Sequence, residues 1–290
     1  MPPGNPVQTD LPALYKRNDI CLWVEDPLTR YYLETLWSND LNLGLLVAGG
    51  HEGTRAVAEM AYRDRIHHVF GLVDRDFGNT NRQHWASPPM DLRCYRTEVH
   101  EVENFLLDPD ALAASEYNSR ARTSDDILSH LQQTASKLVW WMACRQTLAE
   151  LRKSVTDAFP IAPPIRPEVN STTALQHILG SSWYTTRSDM VSDWDESRVR
   201  GTLNSHYDTF KGALDRGDWK RCFSGKEIFI SICDFISTIG IEKTLREEVA
   251  KDVAAFQRKH TTVPAELMEL RDSLYKRVLR RSAPPLNEFR

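Results

Sequence analysis

His68-Val69-Phe70-Gly71-Leu72-Val73-Asp74-Arg75-Asp76-Phe77-Gly78 is the stretch that decides how this chain is read. A short apolar run that stops abruptly at carboxylates reads as a buried strand. Side chains alternate faces along a strand, so Asp74 and Asp76 point the same way if the strand runs through them. Two carboxylates on one face repel each other unless a cation sits between them. A hard, oxygen-seeking ion such as Mg2+ is the usual partner for that geometry. In open parallel sheets, sites collect at the carboxyl ends of strands, where this pair falls. Asp-Arg-Asp is also a short and common pattern, and reads equally as the cap of a solvated loop.

Working outward, Ile20 to Val24 is a second strand candidate and ends at Glu25-Asp26. Pro27 suits the first turn of a helix, and Leu28, Tyr31, Tyr32 and Leu36 follow at helical spacing. Leu43 to Ala48 is a strand closed by Gly49-Gly50, and 54–65 reads as a helix. Residues 92–96 make a short fourth strand, continued by 99–107 into a turn or helix, while 78–91 fit an exposed loop. Strand-helix alternation of this kind predicts an α/β fold, with a mainly parallel sheet flanked by helices and right-handed crossovers.

Beyond about residue 115 the periodicity becomes helical. Residues 125–159 have the length and apolar spacing of one long helix, and the four prolines within 160–170 break it. Further helices are expected near 190–216, 225–239, 241–259 and 264–281. The expected organisation is a tail at 1–18, an α/β domain at 19–115, and a mostly helical domain at 116–290 for dimerisation or partner docking.

The totals narrow the function. Charged residues are 26% and hydrophobic residues 41% of 290, ordinary for a globular chain. The formal net charge of -4 argues against a scaffold that coats nucleic acid, yet leaves room for a nuclease with a local basic patch or a bound metal. Five cysteines without a CxxC pair read as buried thiols of a reducing cytosol, and the nine histidines lack zinc-site spacing. No apolar stretch approaches a membrane span, and the Pro-rich N-terminus has no signal-like pattern, so a cytoplasmic location is expected.

The chemistry-bearing residues fall at related positions. Glu25 ends the first strand, Asp74 and Asp76 end the third, and Glu101 and Glu103 lie in His100-Glu101-Val102-Glu103-Asn104-Phe105-Leu106-Leu107. Adjacent parallel strands would bring them to one edge, where convergent carboxylates can hold one or two Mg2+ ions against phosphate oxygens. Gly49-Gly50 would admit a close backbone or phosphate approach, with His51 next in line. Each residue has a structural alternative. Glu25 and Glu103 can be helix-start acids. Lys226 can bind a phosphate or be a solvated residue at a helix start; Gly225-Lys226 lacks the P-loop frame. Trp140-Trp141 read as core or a partner interface, and Trp183-Tyr184 and Trp194 as packing or as base-stacking groups.

Val24-Glu25, Gly49-Gly50 and Asp74-Arg75-Asp76, each after a strand, resemble the Toprim domain of topoisomerases, primases and OLD-group nucleases. The His-Glu-Val-Glu-Asn-Phe-Leu-Leu run and Phe223-Ser224-Gly225-Lys226-Glu227 resemble the DUF4435 branch, which includes Toprim effectors of the PARIS anti-phage system. The resemblance implies a metal-dependent endonuclease using Mg2+, with Mn2+ as a substitute. It implies catalytic roles for Glu25, Asp74 and Asp76, the same three as metal ligands, and Glu103 as a further ligand or a structural anchor. It also implies a toxin that cleaves tRNA and halts translation, held and released by an ABC-type ATPase subunit; the amphipathic C-terminal helices suit either a homodimer or the docking of that partner. DNA nicking of the OLD kind, or an inert Toprim-like regulatory subunit, are the alternatives. One departure bears on them. The Toprim pattern Glu-Gly-x-x-Asp here reads Glu25-Asp26-Pro27-Leu28-Thr29, so Thr29 stands where a second acid would be.

Overall fold

The computed structural model describes residues 15–40, 42–78, 92–153, 169–181, 184–185, 194–238 and 243–282. These divide into two compact units. The described residues of 1–75, 80–98 and 243–290 make the sheet unit, and those of 76–79 and 99–242 make the helical unit. The expected boundary at 115/116 does not coincide with this division. The expected tail at 1–18 and loop at 78–91 lie almost wholly outside the described residues.

The sheet unit holds four parallel strands, β1 (Ile20–Val24), β2 (Leu43–Val47), β3 (Val69–Val73) and β4 (Cys94–Arg96), in the order β2-β1-β3-β4. Every residue of β1 and β3 is buried, as expected for central parallel strands covered on both faces. Two helices connect the first three strands. In α1 (Pro27–Leu36), Pro27 opens the first turn and the Asp26 carboxylate accepts the Thr29 N–H at 2.8 Å. In α2 (His51–Arg63), Ala58 and Ala61 face inward, and the helix starts three residues earlier than the periodicity suggests.

Between β3 and α2, Gly71 is a packing requirement. A Cβ there would meet Thr54 Cγ2 at 2.9 Å and Cys94 Sγ at 3.1 Å.

Two C-terminal helices complete this unit, α10 (Lys243–Lys259) and α11 (Ala265–Ser282). Tyr32 Oη donates to Gln257 Oε1 at 2.8 Å, and Arg258 donates to the Thr35 carbonyl at 3.0 Å, fastening α10 to α1. Arg271 grips Asp40 with two guanidinium nitrogens, and Ser273 Oγ lies 3.2 Å from Tyr95 Oη.

The helical unit contains a 3-10 turn (Val102–Leu106) and α3 (Pro109–Ala114), α4 (Ser124–Lys137), α5 (Val139–Lys153), α6 (Ser171–Leu179), α7 (Glu196–Asp215), α8 (Trp219–Cys222) and α9 (Gly225–Ile236). The single long helix expected from residue 125 is two helices. The chain turns at Leu138, whose N–H closes a tightened bond onto the Ala135 carbonyl at 3.0 Å. No Gly or Pro marks the turn. It separates two apolar faces, with α4 packed on α3 and α9, and α5 packed on α6 and α7. The expected end of that helix, residues 154–159, lies outside the described residues.

The aromatic residues weighed as core, interface or base-stacking groups pack internally where they are described. Trp141 and Trp194 are buried, Trp140 stacks on Tyr207 with centroids 3.9 Å apart, and Tyr184 Oη donates to the Trp194 carbonyl. Trp183 lies outside the described residues. All five cysteines are free thiols. Burial pushes Cys94 and Cys144 up to about 12 and Cys21 up to about 11. Among the described residues no helix is long and apolar enough to cross a membrane.

Candidate functional site

In the strand order β2-β1-β3, the chain leaves β1 to one side for β2 and returns on the other side as β3. The β1/β3 seam is therefore the topological switch point, where open parallel sheets form a crevice at the strands' carboxyl ends. Glu25 directly follows β1, and Asp74 directly follows β3. The Asp74 N–H donates to Glu25 Oε1 at 2.8 Å, which holds the Glu25 carboxylate on the seam. His51 Nδ1 lies 3.6 Å from the same oxygen, a pairing that carries charge only when the imidazole is protonated.

The turn that delivers His51 is built by glycine. Gly49 and Gly50 have φ of 86° and 131°, left-handed values that side chains rarely adopt. The Gly49 N–H donates to the Glu25 carbonyl at 3.1 Å, and nothing stands within 4 Å of where either Cβ would be. Glu25, Asp74, His51 and the glycine pair are thus brought together at one edge of the sheet unit. Asp26 is not available to replace the missing second acid, because it caps α1, and Thr29 is buried inside that helix.

The second aspartate behaves differently from the alternation argument. The strand ends at Val73, and Asp76 has φ 47°, a left-handed conformation that Asp tolerates better than most residues. The expected common face of Asp74 and Asp76 on a continuous strand is therefore not present. Asp76 belongs to the helical unit, where its N–H donates to the His100 carbonyl at 2.9 Å. One ligand atom from each of Asp76, His100 and Glu101 lies within 4.8 Å of the others, and no further group of three such residues meets this criterion among the described residues. Glu103 lies in the buried 3-10 turn, 4% exposed, and is not a member of that group.

The two motifs of the helical unit form an interlock. Glu101 Oε2 accepts Ser224 Oγ at 2.9 Å and the Lys226 N–H at 2.7 Å. Asn104 Oδ1 accepts the Glu101 N–H at 2.7 Å, while Asn104 Nδ2 donates to the carbonyls of Lys220 and Phe223 at 2.8 and 2.9 Å. Gly225 lies against Asn104, and a Cβ there would come within 2.7 Å of Asn104 Oδ1. The His-Glu-Val-Glu-Asn and Phe-Ser-Gly-Lys segments thus occur together because each completes the other's hydrogen bonds. The Lys226 backbone serves Glu101, a role that its phosphate-binding reading does not contain.

Burial pushes the Glu101 carboxyl above its usual range. The Lys226 amide, the Ser224 hydroxyl and Arg145 act against that shift, and Asp76 adds to it. His100 and Ser224 were not evident as site residues from sequence. Their signal was present only as neighbours of the acidic positions in the two motifs.

Comparison with protein-family models, curated proteins and solved structures finds no match.

Proposed function

We propose that this chain is a metal-dependent phosphodiesterase of Toprim type. The observation that carries it is the Asp74 amide bound to Glu25 Oε1, which joins two acids across the switch point of a parallel sheet. The donor set fits a hard divalent cation, since carboxylate oxygens at a crevice are the ligands that Mg2+ and Mn2+ take. Glu25 and Asp74 would hold the ion; Asp76, the remaining carboxylate of the resemblance, lies with His100 and Glu101 instead. When bound, such an ion supplies positive charge to phosphate oxygens and lowers the pKa of a water.

The chain's own residues supply the rest. Asp74 fixes the orientation of Glu25 through its amide. His51 stands beside Glu25, where it can exchange a proton with groups at that edge. The Gly49-Gly50 turn leaves open space in which a phosphate can approach the backbone.

The substrate, role and partner rest on the resemblance to the PARIS effectors of the AriB kind. On that reading the chain cleaves tRNA as an anti-phage toxin, and an ABC-type, AriA-like ATPase holds and releases it. One observation favours a second reading. With Asp26 committed to the α1 cap and Thr29 buried, the first motif brings a single acid to the edge, as an inert regulatory subunit would tolerate.

Cleavage of total RNA and plasmid DNA by the purified chain, with Mg2+, Mn2+ or EDTA, decides between these. Glu25→Gln keeps an oxygen for the Asp74 amide but removes the charge. It should lower metal-dependent cleavage by about 100-fold or more while the melting temperature stays put. Cleavage undiminished in Glu25→Gln removes the proposed site. A wild-type chain that is inert in vitro, and whose expression alone in cells is harmless, selects the regulatory subunit. Nicked plasmid with intact tRNA selects the DNA substrate.

A further inference from the structure

We infer that Asp76, His100 and Glu101 form a cation site of their own, built for a borderline metal ion such as Zn2+ rather than Mg2+. This goes beyond the phosphodiesterase reading and does not depend on it.

One atom from each of the three side chains already lies within 4.8 Å of the others. Ligands about 2 Å from a shared ion stand roughly 3 to 4 Å apart, so a small closing movement completes the shell. Asp76, on a half-buried turn, is the side chain placed to make that movement. Two of the donors are deeply placed, His100 at 1% and Glu101 at 6% exposure. Burying a carboxylate to that degree costs free energy that a cation at the site would offset.

The surroundings hold the donors in the manner of a ligand shell. Ser224 Oγ and the Lys226 N–H both bind Glu101 Oε2, while Oε1 lies 3.9 Å from His100 Nε2. Outer hydrogen bonds that orient a ligating carboxylate are a regular feature of metal centres. His100 is fixed at its backbone, where its N–H donates to the Arg221 carbonyl and its C=O accepts the Asp76 N–H. Its ring meets Phe77 edge-on, with centroids 4.9 Å apart. The imidazole sets the metal class, because nitrogen ligands suit Zn2+, whereas Mg2+ prefers an all-oxygen, water-rich shell.

Arg145 is a competing source of charge for Glu101. It acts electrostatically on Glu101 and stands over Phe77 at 5.2 Å and Trp141 at 4.6 Å. An Arg145-Glu101 pairing would require neither the imidazole nor Asp76, so those two residues separate the readings.

The test uses the full chain, stripped with EDTA and titrated with Zn2+ by calorimetry and with Co2+ by visible absorption. The wild type should take up about one equivalent of Zn2+, show Co2+ ligand-field bands, and melt at a higher temperature with Zn2+. Asp76→Asn and His100→Gln should each weaken Zn2+ binding by at least about tenfold and abolish the Zn2+-induced rise in melting temperature. With excess Mg2+ present to occupy the Glu25-Asp74 edge, Glu25→Gln and Asp74→Asn should leave this one equivalent of Zn2+ in place. The Glu101 capping bonds stay intact in all four variants, so loss of fold does not confuse the result. No uptake by the wild type overturns the inference. So does uptake that survives Asp76→Asn and His100→Gln. Loss of cleavage in Glu25→Gln with Zn2+ binding intact leaves both this site and the phosphodiesterase reading standing. Zn2+ binding in a chain that cleaves nothing and harms no cell supports this site alone.

Discussion

Asn104 commits both ends of its amide to backbone. Its oxygen takes the Glu101 N–H, and its nitrogen gives one hydrogen to each of the carbonyls of Lys220 and Phe223. The side chain is 6% exposed, so water cannot stand in for a lost partner. Asn104→Ala strands one donor and two acceptors, and should cost about 2 to 4 kcal/mol. Asn104→Asp keeps the acceptor for Glu101 but turns oxygen lone pairs toward two carbonyls, so it should cost at least as much despite its near-identical size. Urea unfolding of the two variants measures this. An Asn104→Asp chain within about 1 kcal/mol of wild type would show that the interlock is not formed as described. The same logic explains why Gly225 follows Ser224. The serine hydroxyl must reach Glu101, and the next residue must lie flat against Asn104.

At the scale of elements, Gly71 sets how closely α2 can lie on β3. A methyl group there would overlap Thr54 Cγ2 and press on Cys94 Sγ, with the Thr54 carbonyl oxygen 3.3 Å away. Gly71→Ala should therefore lower stability by about 1 to 3 kcal/mol, the usual cost of overpacking. Thr54→Ser removes the methyl that is struck but keeps the hydroxyl that donates to the Gly50 carbonyl at 2.9 Å. The double variant should recover part of the loss, and a double-mutant cycle in urea measures that coupling. Strictly additive effects would mean that α2 gives way elsewhere. The strands and their order of alternation were legible because buried parallel strands write themselves as apolar runs. The α4-α5 turn was not, because Ser136, Lys137, Leu138 and Val139 carry no breaker and only tertiary packing separates the two faces. Glu25 and Asp74 were legible as acids ending strands. The left-handed turn at Asp76 was not, because one residue's φ leaves no periodic trace, and it is what takes this acid to His100 and Glu101.

At the scale of the whole molecule, the sheet unit is discontinuous in sequence. Residues 243–282 return to it from the far end of the chain. That return escapes sequence reading, because amphipathic periodicity shows that a helix has a buried face and not which layer covers it. The 19–115 stretch, which looks like a domain by its strand-helix alternation, lacks the α10 and α11 helices. Leu245, Val249, Val253, Leu267, Leu270 and Leu274 are all buried side chains of those helices. At roughly 1.5 to 3 kcal/mol each, their burial contributes on the order of 10 kcal/mol, comparable to the entire net stability of a typical domain. Their removal would also strip Gln257 from buried Tyr32, Arg271 from Asp40 and Ser273 from Tyr95. A polypeptide of residues 19–115, and the chain ended at residue 242, should therefore show no cooperative folding of the sheet unit. Urea titration followed by circular dichroism and by tryptophan fluorescence checks both against the full chain. A sigmoidal transition in the 19–115 polypeptide would mean that the four strands and their two connecting helices hold themselves, and that α10 and α11 add stability without being required for the fold.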